Sequence, residues 1–262
     1  MVELLGRAAT PPAEYFGGLF ERLPARPASE RGGVHAGVVA LLLGDPRVDG
    51  SRTLHLAARR AAETGHVEVV ALFLRDPRVD PAAGSNLLIR YAAWCGHAEV
   101  VALLLRDPRV NPAAENNWAL RDAVERDHAK VVALLLGDPR VDPAAHDNLA
   151  LRWAAQRGHA EIVALLLADP RVNPAADHNF AIRSAAWGGH AGIVALLLAD
   201  PRVNPATCGS DALCYAAEPG HVEVAVLLLG DPRVDPAHID FPWHAVFCAR
   251  PLVAEALARR RG

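Results

Sequence analysis

The chain has 262 residues, and 52% of them are apolar, which is enough to build a sizeable buried core. Its 27 basic and 30 acidic residues leave a net charge of −3, so the bulk charge gives no reason to expect nucleic acid or an anionic membrane as a partner. The four scattered cysteines form no CxxC pair, which argues against a zinc knot and against a secreted disulfide framework; they are Cys95, Cys208, Cys214 and Cys248.

Targeting signals are not visible in the sequence. Glu3 interrupts the only short apolar stretch at the N-terminus, and apolar runs such as Ile162 to Ala168 are too short to cross a bilayer. We therefore expect a protein of the cytoplasm or nucleus that is neither secreted nor transmembrane.

The first 33 residues differ from the rest of the chain. They contain the prolines Pro11, Pro12, Pro24 and Pro27 and two Gly-Gly pairs, and they do not fit the period that follows. Because proline and glycine interrupt regular elements, residues 1–33 are predicted to form an irregular N-terminal cap.

Residues 34–240 are dominated by an internal repeat of 31 residues. The tetrapeptide DPRV recurs at this spacing, starting at Asp45, Asp76, Asp107, Asp138, Asp169, Asp200 and Asp231. The segments 142–172 and 173–203 are identical at 22 of 31 positions. The chain therefore contains about seven copies of one structural unit.

Each unit is predicted to hold two helices. Asn179 is placed to cap the first, helix A, which ends at a glycine, and helix B follows from His190. Helix B is apolar on nearly all sides, so neighbouring units must cover it, and the Asp-Pro pair stops it. The valine of DPRV is predicted to be a buried plug under the loop. Stacked units would form an α-helical repeat solenoid.

The C-terminal residues 241–262 fit this register only loosely. Trp243, Phe247 and Leu257 fall on one side of the segment, and a basic tail lies on the other. This arrangement predicts a degenerate capping repeat, because the end of a stack needs one polar outer face.

The unit resembles the ankyrin repeat. Ala181 to Asn204 reads AIRSAAWGGHAGIVALLLADPRVN, against the family pattern TPLHxAAxxGHxxVVxxLLxxGADVN, and the AAxxGH core recurs at Ala92 to His97 and Ala154 to His159. The resemblance covers about residues 34–234. The unit is shorter than the usual ankyrin repeat of about 33 residues, and arginine replaces the histidine of TPLH. The resemblance therefore implies a stack of helix-turn-helix-loop units with at most short or irregular hairpin loops.

Histidines at the repeat spacing invite a metal or acid–base interpretation; they are His35, His66, His97, His128, His159, His190 and His221. Each belongs to a different unit, so neighbours would lie about 10 Å apart, whereas zinc ligands lie within about 2.3 Å of the ion. A bridge across a turn is the expected role. With no phosphate loop, GxSxG or HExxH motif in the sequence, we expect no enzyme, no cofactor, no metal site and no small-molecule substrate.

Two arginine ladders leave nucleic acid or phospholipid binding as a minor alternative. One ladder belongs to DPRV and the other, Arg59 to Arg183, to helix A. Every DPRV arginine follows an aspartate by two residues, which favours local neutralisation of its charge.

Partner contacts are expected where the units vary within a constant frame. The ankyrin resemblance implies that the two positions after the alanine pair face the concave groove, with loop tips beside them. The candidates are Glu63, Trp94, Cys95, Asn116, Glu125, Arg126, Asp147, Gln156, Arg157, His178 and Trp187. Trp94 and Trp187 are the leading anchors, since large aromatic side chains dominate interfaces; the alternative is that they simply cover neighbouring side chains. Trp118, Trp153 and Phe180 are predicted to be core or semi-core.

The sequence thus predicts a monomeric protein-interaction scaffold or adaptor that binds a protein partner on its concave face. A second hypothesis is a substrate-recognition subunit that recruits other machinery, such as a ubiquitin ligase, through residues 1–33.

Overall fold

The computed structural model describes residues 28–45, 51–234 and 251–261, which hold fourteen helices and no strand. The chain divides into two compact units, residues 1–119 and residues 120–262. The first contains α1 (Ala28–Leu43), α2 (Ser51–Glu63), α3 (Val67–Arg75), α4 (Ala83–Trp94) and α5 (Ala98–Leu105). The helix α6 (Ala114–Glu125) begins in the first unit and ends in the second. The second unit continues with α7 (Ala129–Leu136), α8 (Ala145–Arg157), α9 (Ala160–Ala168), α10 (Ala176–Trp187), α11 (Ala191–Ala199), α12 (Thr207–Ala217), α13 (Val222–Gly230) and α14 (Pro251–Arg261).

The helices pair as the 31-residue period predicts. Even-numbered helices from α2 to α12 are helix A of each repeat, and odd-numbered helices from α3 to α13 are helix B. In the first unit α2 packs on α4 and α3 on α5, with α1 against α3. In the second unit the A helices α8, α10 and α12 pack in succession, as do the B helices α7, α9, α11 and α13. The predicted class, an all-helical repeat fold, is confirmed.

Both helices of a repeat supply the core, for different reasons. Helix A contributes an alanine pair such as Ala154 and Ala155, fully buried because small side chains let neighbouring helices approach closely. Helix B contributes larger side chains, as with Ile162, Val163 and Leu166, which are also fully buried. Burying each of these is worth about 1.5–3 kcal/mol, so the contacts between repeats carry most of the stability.

The glycine between the two helices of a repeat is required by its positive φ and by a histidine ring that lies close to it. Gly189 has a φ of 72°, and a Cβ built there would lie 2.6 Å from Nδ1 of His221. The ring of His221 occupies this space because its Nε2 bonds the carbonyl oxygen of Trp187, 3.0 Å away in the preceding repeat. His97 bonds the carbonyl of Glu63 in the same way. The histidines therefore bridge one repeat to the next.

One repeat departs from this arrangement. Asp127 stands where the others have glycine and still adopts a φ of 61°. Its carboxylate lies 3.3 Å from Nδ1 of His159, whose Nε2 is buried and makes no hydrogen bond within the described residues. A side chain at the glycine position thus replaces the histidine-to-carbonyl bridge with a contact between a carboxylate and an imidazole.

Four A helices begin with a left-handed turn of three residues that the sequence analysis did not predict. In α8 these are His146, Asp147 and Asn148, with φ between 54° and 57°. The same turn is found at residues 84–86, 115–117 and 177–179. Asparagine, aspartate and histidine tolerate this region better than most residues, which explains the polar composition.

The last asparagine of the turn joins neighbouring repeats. The side-chain oxygen of Asn148 accepts the backbone N–H of Asn173 at 2.8 Å, and Asn86 accepts that of Asn111 at 2.7 Å. Asn179 does not occupy the N-cap position predicted for it: it is the fourth residue of α10, whose N-cap is Ala175. Its side-chain oxygen accepts the backbone N–H of Asn204, 25 residues further along the chain, at 2.8 Å.

The helix α2 also supplies a side chain that accepts a backbone N–H of the next repeat, but it does so without a left-handed turn. It is right-handed throughout its 13 residues and includes the TLHLAA segment, as a lengthened helix A. His55 occupies the register of Asn86, and its Nε2 accepts the backbone N–H of Asp80 at 2.9 Å. An imidazole within a right-handed helix therefore accepts the same backbone N–H that an asparagine side chain accepts from a left-handed turn.

The DPRV loop is the third connection between repeats. Its valine is buried as predicted, with Val172 only 1% exposed. The guanidinium of Arg171 pairs with Asp169 at 2.6 Å and donates to the carbonyl oxygens of Val141 and Leu136, both at 2.8 Å. Since Leu136 ends α7, the arginine also satisfies a carbonyl at the end of the preceding helix B.

Only part of each end of the chain is described by the structure. The division proposed at residue 33 falls within α1, and residues 1–27 and 235–250, with Trp243 and Phe247, lie outside the described residues. The two predicted caps therefore remain predictions. The described part of the C-terminus is α14, which packs on α13. No helix in the described ranges is long and apolar enough to cross a membrane.

Candidate functional site on the helix A face

In each of the two units, the A helices carry a row of stacked arginine and aromatic side chains. In the first unit, Arg59 lies over the ring of Tyr91 at 5.2 Å and Arg90 over Trp118 at 3.4 Å from the ring centroid. In the second unit, Arg121 lies over Trp153 at 5.2 Å, Arg152 over Phe180 at 4.2 Å and Arg183 over Tyr215 at 6.0 Å. The arginine that stands in place of the TPLH histidine therefore forms a contact between successive A helices.

The aromatic residue of the row alternates between two helix positions. It follows the arginine register by one residue in Tyr91, Trp153 and Tyr215 and precedes it by three in Trp118 and Phe180. These positions are four residues apart and so share one face of a helix. Either one places a ring beneath the arginine of the preceding repeat, where the ring face attracts the cation.

All five arginines of the row have a buried Nε atom without a hydrogen bond in the described residues, although Arg183 makes contacts through its other nitrogens; they are Arg59, Arg90, Arg121, Arg152 and Arg183. A buried donor usually costs free energy unless something compensates it. Here the aromatic ring covers the guanidinium, and the cation–π attraction offsets part of the cost. The row is therefore a packed layer and not a set of free cations.

The row opens into a cavity at Trp187. This side chain is 47% exposed, and its ring meets that of Tyr215 edge to face, with centroids 6.1 Å apart and an interplanar angle of 82°. A cavity of about 210 Å³ lies beside the two rings. We call it the Trp187 cavity; its lining residues are Gln156, Phe180, Arg183, Ser184, Trp187 and Tyr215.

Charges near the cavity are distributed unevenly. The cavity wall contains the guanidinium of Arg183, which donates to the carbonyl oxygen of Asp177 at 3.1 Å. The carboxylate of Asp177 faces Arg152 at 3.5 Å instead. The other nearby pair, Arg157 and Glu125, is closed at 3.0 Å. Among the described residues that line the cavity, Arg183 is the one that carries a charge.

Comparison with known families decides the identity of the fold. Residues 54–147 and 151–240 match the family model described as ankyrin repeats (3 copies). The chain belongs to the ankyrin repeat family. Ankyrin repeats are protein–protein interaction modules, and proteins built from them are typically scaffolds without catalytic activity. No curated protein matches the sequence closely enough to supply a partner or a pathway.

These ankyrin repeats use their loop arginines for structure. All six described Asp–Arg pairs of the DPRV loops close at 2.6 or 2.7 Å. The hydrogen bond from Arg171 is the main reason that the pKa of Asp169 lies below its usual value, and burial opposes the shift. The local neutralisation predicted for this ladder is confirmed.

The structure places the predicted contact residues of the first unit at two kinds of position. Glu63, Trp94 and Cys95 are half-buried at the end of helix A, and Asn116 is exposed in a left-handed turn. The predicted partner contacts themselves remain predictions.

In the second unit the same positions are more open. Arg126, Gln156, Arg157 and Trp187 are exposed near the ends of their A helices, and Glu125 is half-buried. Asp147 and His178 are exposed in left-handed turns. Of the predicted residues, Gln156 and Trp187 meet at one cavity, and Glu125 and Arg157 form an ion pair.

Other aromatic residues were placed less well by the sequence. Trp118 is 38% exposed, which is more open than the core or semi-core position predicted for it, whereas Trp153 and Phe180 are half-buried, as expected of semi-core residues. Arg183 and Tyr215 were missed as cavity residues. The alternation of aromatic positions around the helix A arginine is visible in the sequence and could have revealed both.

Among the described residues, no group of three or more histidine, cysteine, aspartate or glutamate side chains could hold a metal ion. His97, His190 and His221 instead bond backbone carbonyls of the preceding repeat.

Proposed function

We propose that this protein is a scaffold or adaptor that binds a protein partner on the helix A face, with Trp187 as the main anchor of the second unit. The observation that carries the proposal is the exposure of Trp187 and Tyr215 beside a cavity. Exposed aromatic side chains at a concave site are the usual anchors of protein interfaces.

The repeat frame supports this choice of surface. The helix B face and the DPRV loops use nearly the same residues in every repeat, and their polar groups bond neighbouring repeats. The helix A ends vary, as in Gln156 and Trp187, while the adjoining alanine pairs stay buried. A surface that varies without altering the packing is free to differ in what it binds.

Nucleic acid is a weaker occupant for the arginine ladders. The loop arginines are paired with aspartates, and the helix A arginines lie over aromatic rings. Neither set is arranged as the uncompensated cationic row that a phosphate backbone needs.

Affinity capture from cell extract tests the proposal. The full chain and its Trp187→Ala, Tyr215→Ala double variant are compared, with Leu196→Ala as the control because Leu196 is also exposed but lies on helix B. We expect the double variant to lose captured proteins that the control retains, while circular dichroism shows all three chains folded. Equal capture by the folded double variant would refute the helix A face as the binding surface.

A further inference from the structure

Two B helices of the first unit carry exposed charges of opposite sign at their two ends. In α3 these are Glu68 and Arg75. In α5 they are Glu99 and Arg106, which directly follows the helix. Each glutamate is seven residues before its arginine, so the two lie on the same side of the helix, about two turns apart. None of the four side chains forms an ion pair or a hydrogen bond within the described residues.

The middle of this side is apolar. Leu72 of α3 and Leu103 of α5 follow the glutamates by four residues and are half-buried, whereas the residues of α3 that face the core, such as Phe73, are fully buried. The outer side of the two helices therefore has an acidic edge where they begin, an apolar centre and a basic edge where they end. We call it the α3–α5 face; its residues are Glu68, Leu72, Arg75, Glu99, Leu103 and Arg106.

We infer that the α3–α5 face binds the same face of a second copy of this chain. Seven residues span about 10 Å along a helix, and packed helices such as α3 and α5 lie about 8–10 Å apart. The four charges therefore stand at the corners of a nearly square patch. A twofold axis through the centre of the patch places the acidic edge of one copy over the basic edge of the other.

This twofold arrangement pairs every charge of the patch. Glu68 of each copy meets Arg106 of the other, and Glu99 of each meets Arg75 of the other. At the centre, Leu72 lies over Leu103. The same rotation thus covers the apolar centre and gives each charge an opposite partner, as an interface between identical surfaces requires.

Helix dipoles alone do not account for the pattern. An acidic residue near the start of a helix and a basic one near its end stabilise any helix, but B helices of the second unit form without both. In α11 the two positions hold Gly192 and Ala199, and in α9 Glu161 is matched by Ala168. Among the B helices α3 to α13, both charges are present in the neighbouring pair α3 and α5 alone.

A partner of a single charge sign fits this face poorly. Nucleic acid or an anionic membrane would meet the carboxylates of the acidic edge, and a basic peptide would meet the guanidinium groups of the other edge. Like charges brought together across an interface cost several kcal/mol. A partner must therefore carry both signs at the same spacing, which a second copy does.

The size of the face limits the strength of the association. The two helices have nine and eight residues, so their outer sides offer less than the roughly 800 Å² per partner of a standard stable interface. Exposed ion pairs are also weakened by salt. The chain is then a monomer when dilute, as expected from its sequence, and a dimer when concentrated. This inference is independent of the proposed function, which concerns the helix A face.

Sedimentation velocity of the full chain over a wide range of concentrations tests the inference. We expect the average mass of the wild type to rise with concentration from that of a monomer towards that of a dimer. Added salt should weaken the association, because the charged edges are screened. A wild type that stays monomeric at every concentration would overturn the inference.

Charge reversal makes the test specific for this face. The variant Glu68→Arg, Glu99→Arg has four basic corners, and the variant Arg75→Glu, Arg106→Glu has four acidic corners. Each alone should self-associate about tenfold or more weakly than the wild type, since like charges then face each other. An equimolar mixture of the two variants should associate again as a heterodimer, which a misfolded chain could not do.

A charge on the second unit supplies the control. Glu161→Arg reverses an equivalent exposed charge and should leave self-association unchanged. Should the charge-reversed chains unfold by circular dichroism, Glu68→Gln with Glu99→Gln is a milder variant that should still weaken the dimer. Folded variants that associate as strongly as the wild type, or a mixture that stays monomeric while the wild type dimerises, would refute the twofold pairing. These outcomes leave the helix A face untouched, since its test uses Trp187 and Tyr215.

Discussion

Two parts of the repeat unit differ in how much their residues vary: the contacts that join neighbouring repeats, and the helix A face. Three polar side chains join neighbouring repeats in a fixed way: an asparagine, a histidine and a DPRV arginine, as seen in Asn148, His190 and Arg171. We call these three the bridging residues. On the helix A face the aromatic residue changes both its identity and its position from repeat to repeat. The comparison separates residues that hold the stack from residues that are available to a partner.

The largest expected effect is on a bridging residue. Asn148→Ala should lower the free energy of unfolding by about 2–3 kcal/mol, because the backbone N–H of Asn173 loses its acceptor and alanine tolerates positive φ poorly. Urea denaturation followed by circular dichroism measures the loss.

The control for this change lies in the same turn. Asp147→Ala alters a residue with φ 55° that is exposed, so it carries the backbone penalty without the lost hydrogen bond and should cost only about 1 kcal/mol. Equal losses for both variants would show that Asn148 contributes conformation alone.

The second effect is acid sensitivity of the DPRV pairs. The pKa values of Asp76, Asp107, Asp138, Asp169 and Asp200 are lowered, chiefly by hydrogen bonds from their arginines. A lowered folded-state pKa gives stability that is present above the ordinary aspartate value of about 4 and is lost as pH falls through the lower value. Unfolding midpoints should therefore decrease below about pH 4, and the DPRV pairs should contribute no pH dependence from there to neutral pH.

Arg171→Ala identifies the origin of that acid sensitivity. It should lower stability at neutral pH by about 1–2 kcal/mol, since two carbonyls lose a donor, while the arginine is partly exposed and the ion pair itself is screened. The variant should also lose less stability on acidification than the wild type. A pH dependence identical to that of the wild type would assign the acid effect to other carboxylates.

A smaller change, a gain in stability, is expected at the repeat in which the histidine-to-carbonyl hydrogen bond is missing. Asp127→Gly should stabilise the protein by about 1 kcal/mol, because glycine accepts the positive φ that Asp127 adopts. Glycine also leaves room for the His159 ring, as Gly189 does for the ring of His221. Thermal unfolding measures the gain. In the same variant His159 should reach the carbonyl of Glu125, which NMR of the imidazole nitrogens can detect; a destabilised variant would mean that the Asp127–His159 pair outweighs the strain.

The smallest stability change is expected on the helix A face. Trp187→Ala should alter the free energy of unfolding by less than about 1 kcal/mol, since the residue is 47% exposed and its main described contact is the edge-to-face pair with Tyr215. Thermal unfolding provides the measurement. A loss of several kcal/mol would move Trp187 from the binding face to the packing of the repeats.

Much of the fold is predictable from the sequence because its signals are local. The period, the apolar helix B, the glycine stop and the buried valine all depend on residues within one unit, and the structure confirms them. The asparagine register was located correctly but given the wrong role. A helix N-cap and a left-handed turn both favour asparagine, and only the contact from Asn148 to Asn173 in the next repeat distinguishes them.

The candidate site is less predictable because it forms between repeats. Trp187 and Gln156 were identified by comparing equivalent positions, without knowledge of their surroundings. Tyr215 belongs to the following repeat and Arg183 lies on the same helix as Trp187, so their convergence depends on how neighbouring A helices pack. The same limit explains why Trp118 was predicted to be core or semi-core although it is 38% exposed, with Arg90 stacked over its ring.

The bridging residues also have a consequence for how such a chain folds. The hydrogen bonds they make join residues only 25 to 35 positions apart, as from Asn173 to Asn148 and from Arg171 to Leu136. Adding whole copies of the unit leaves this separation unchanged, so relative contact order falls as the chain grows longer. The loop-closure entropy of each new copy is then the same as that of the last, and length can be gained without a slower search for partners.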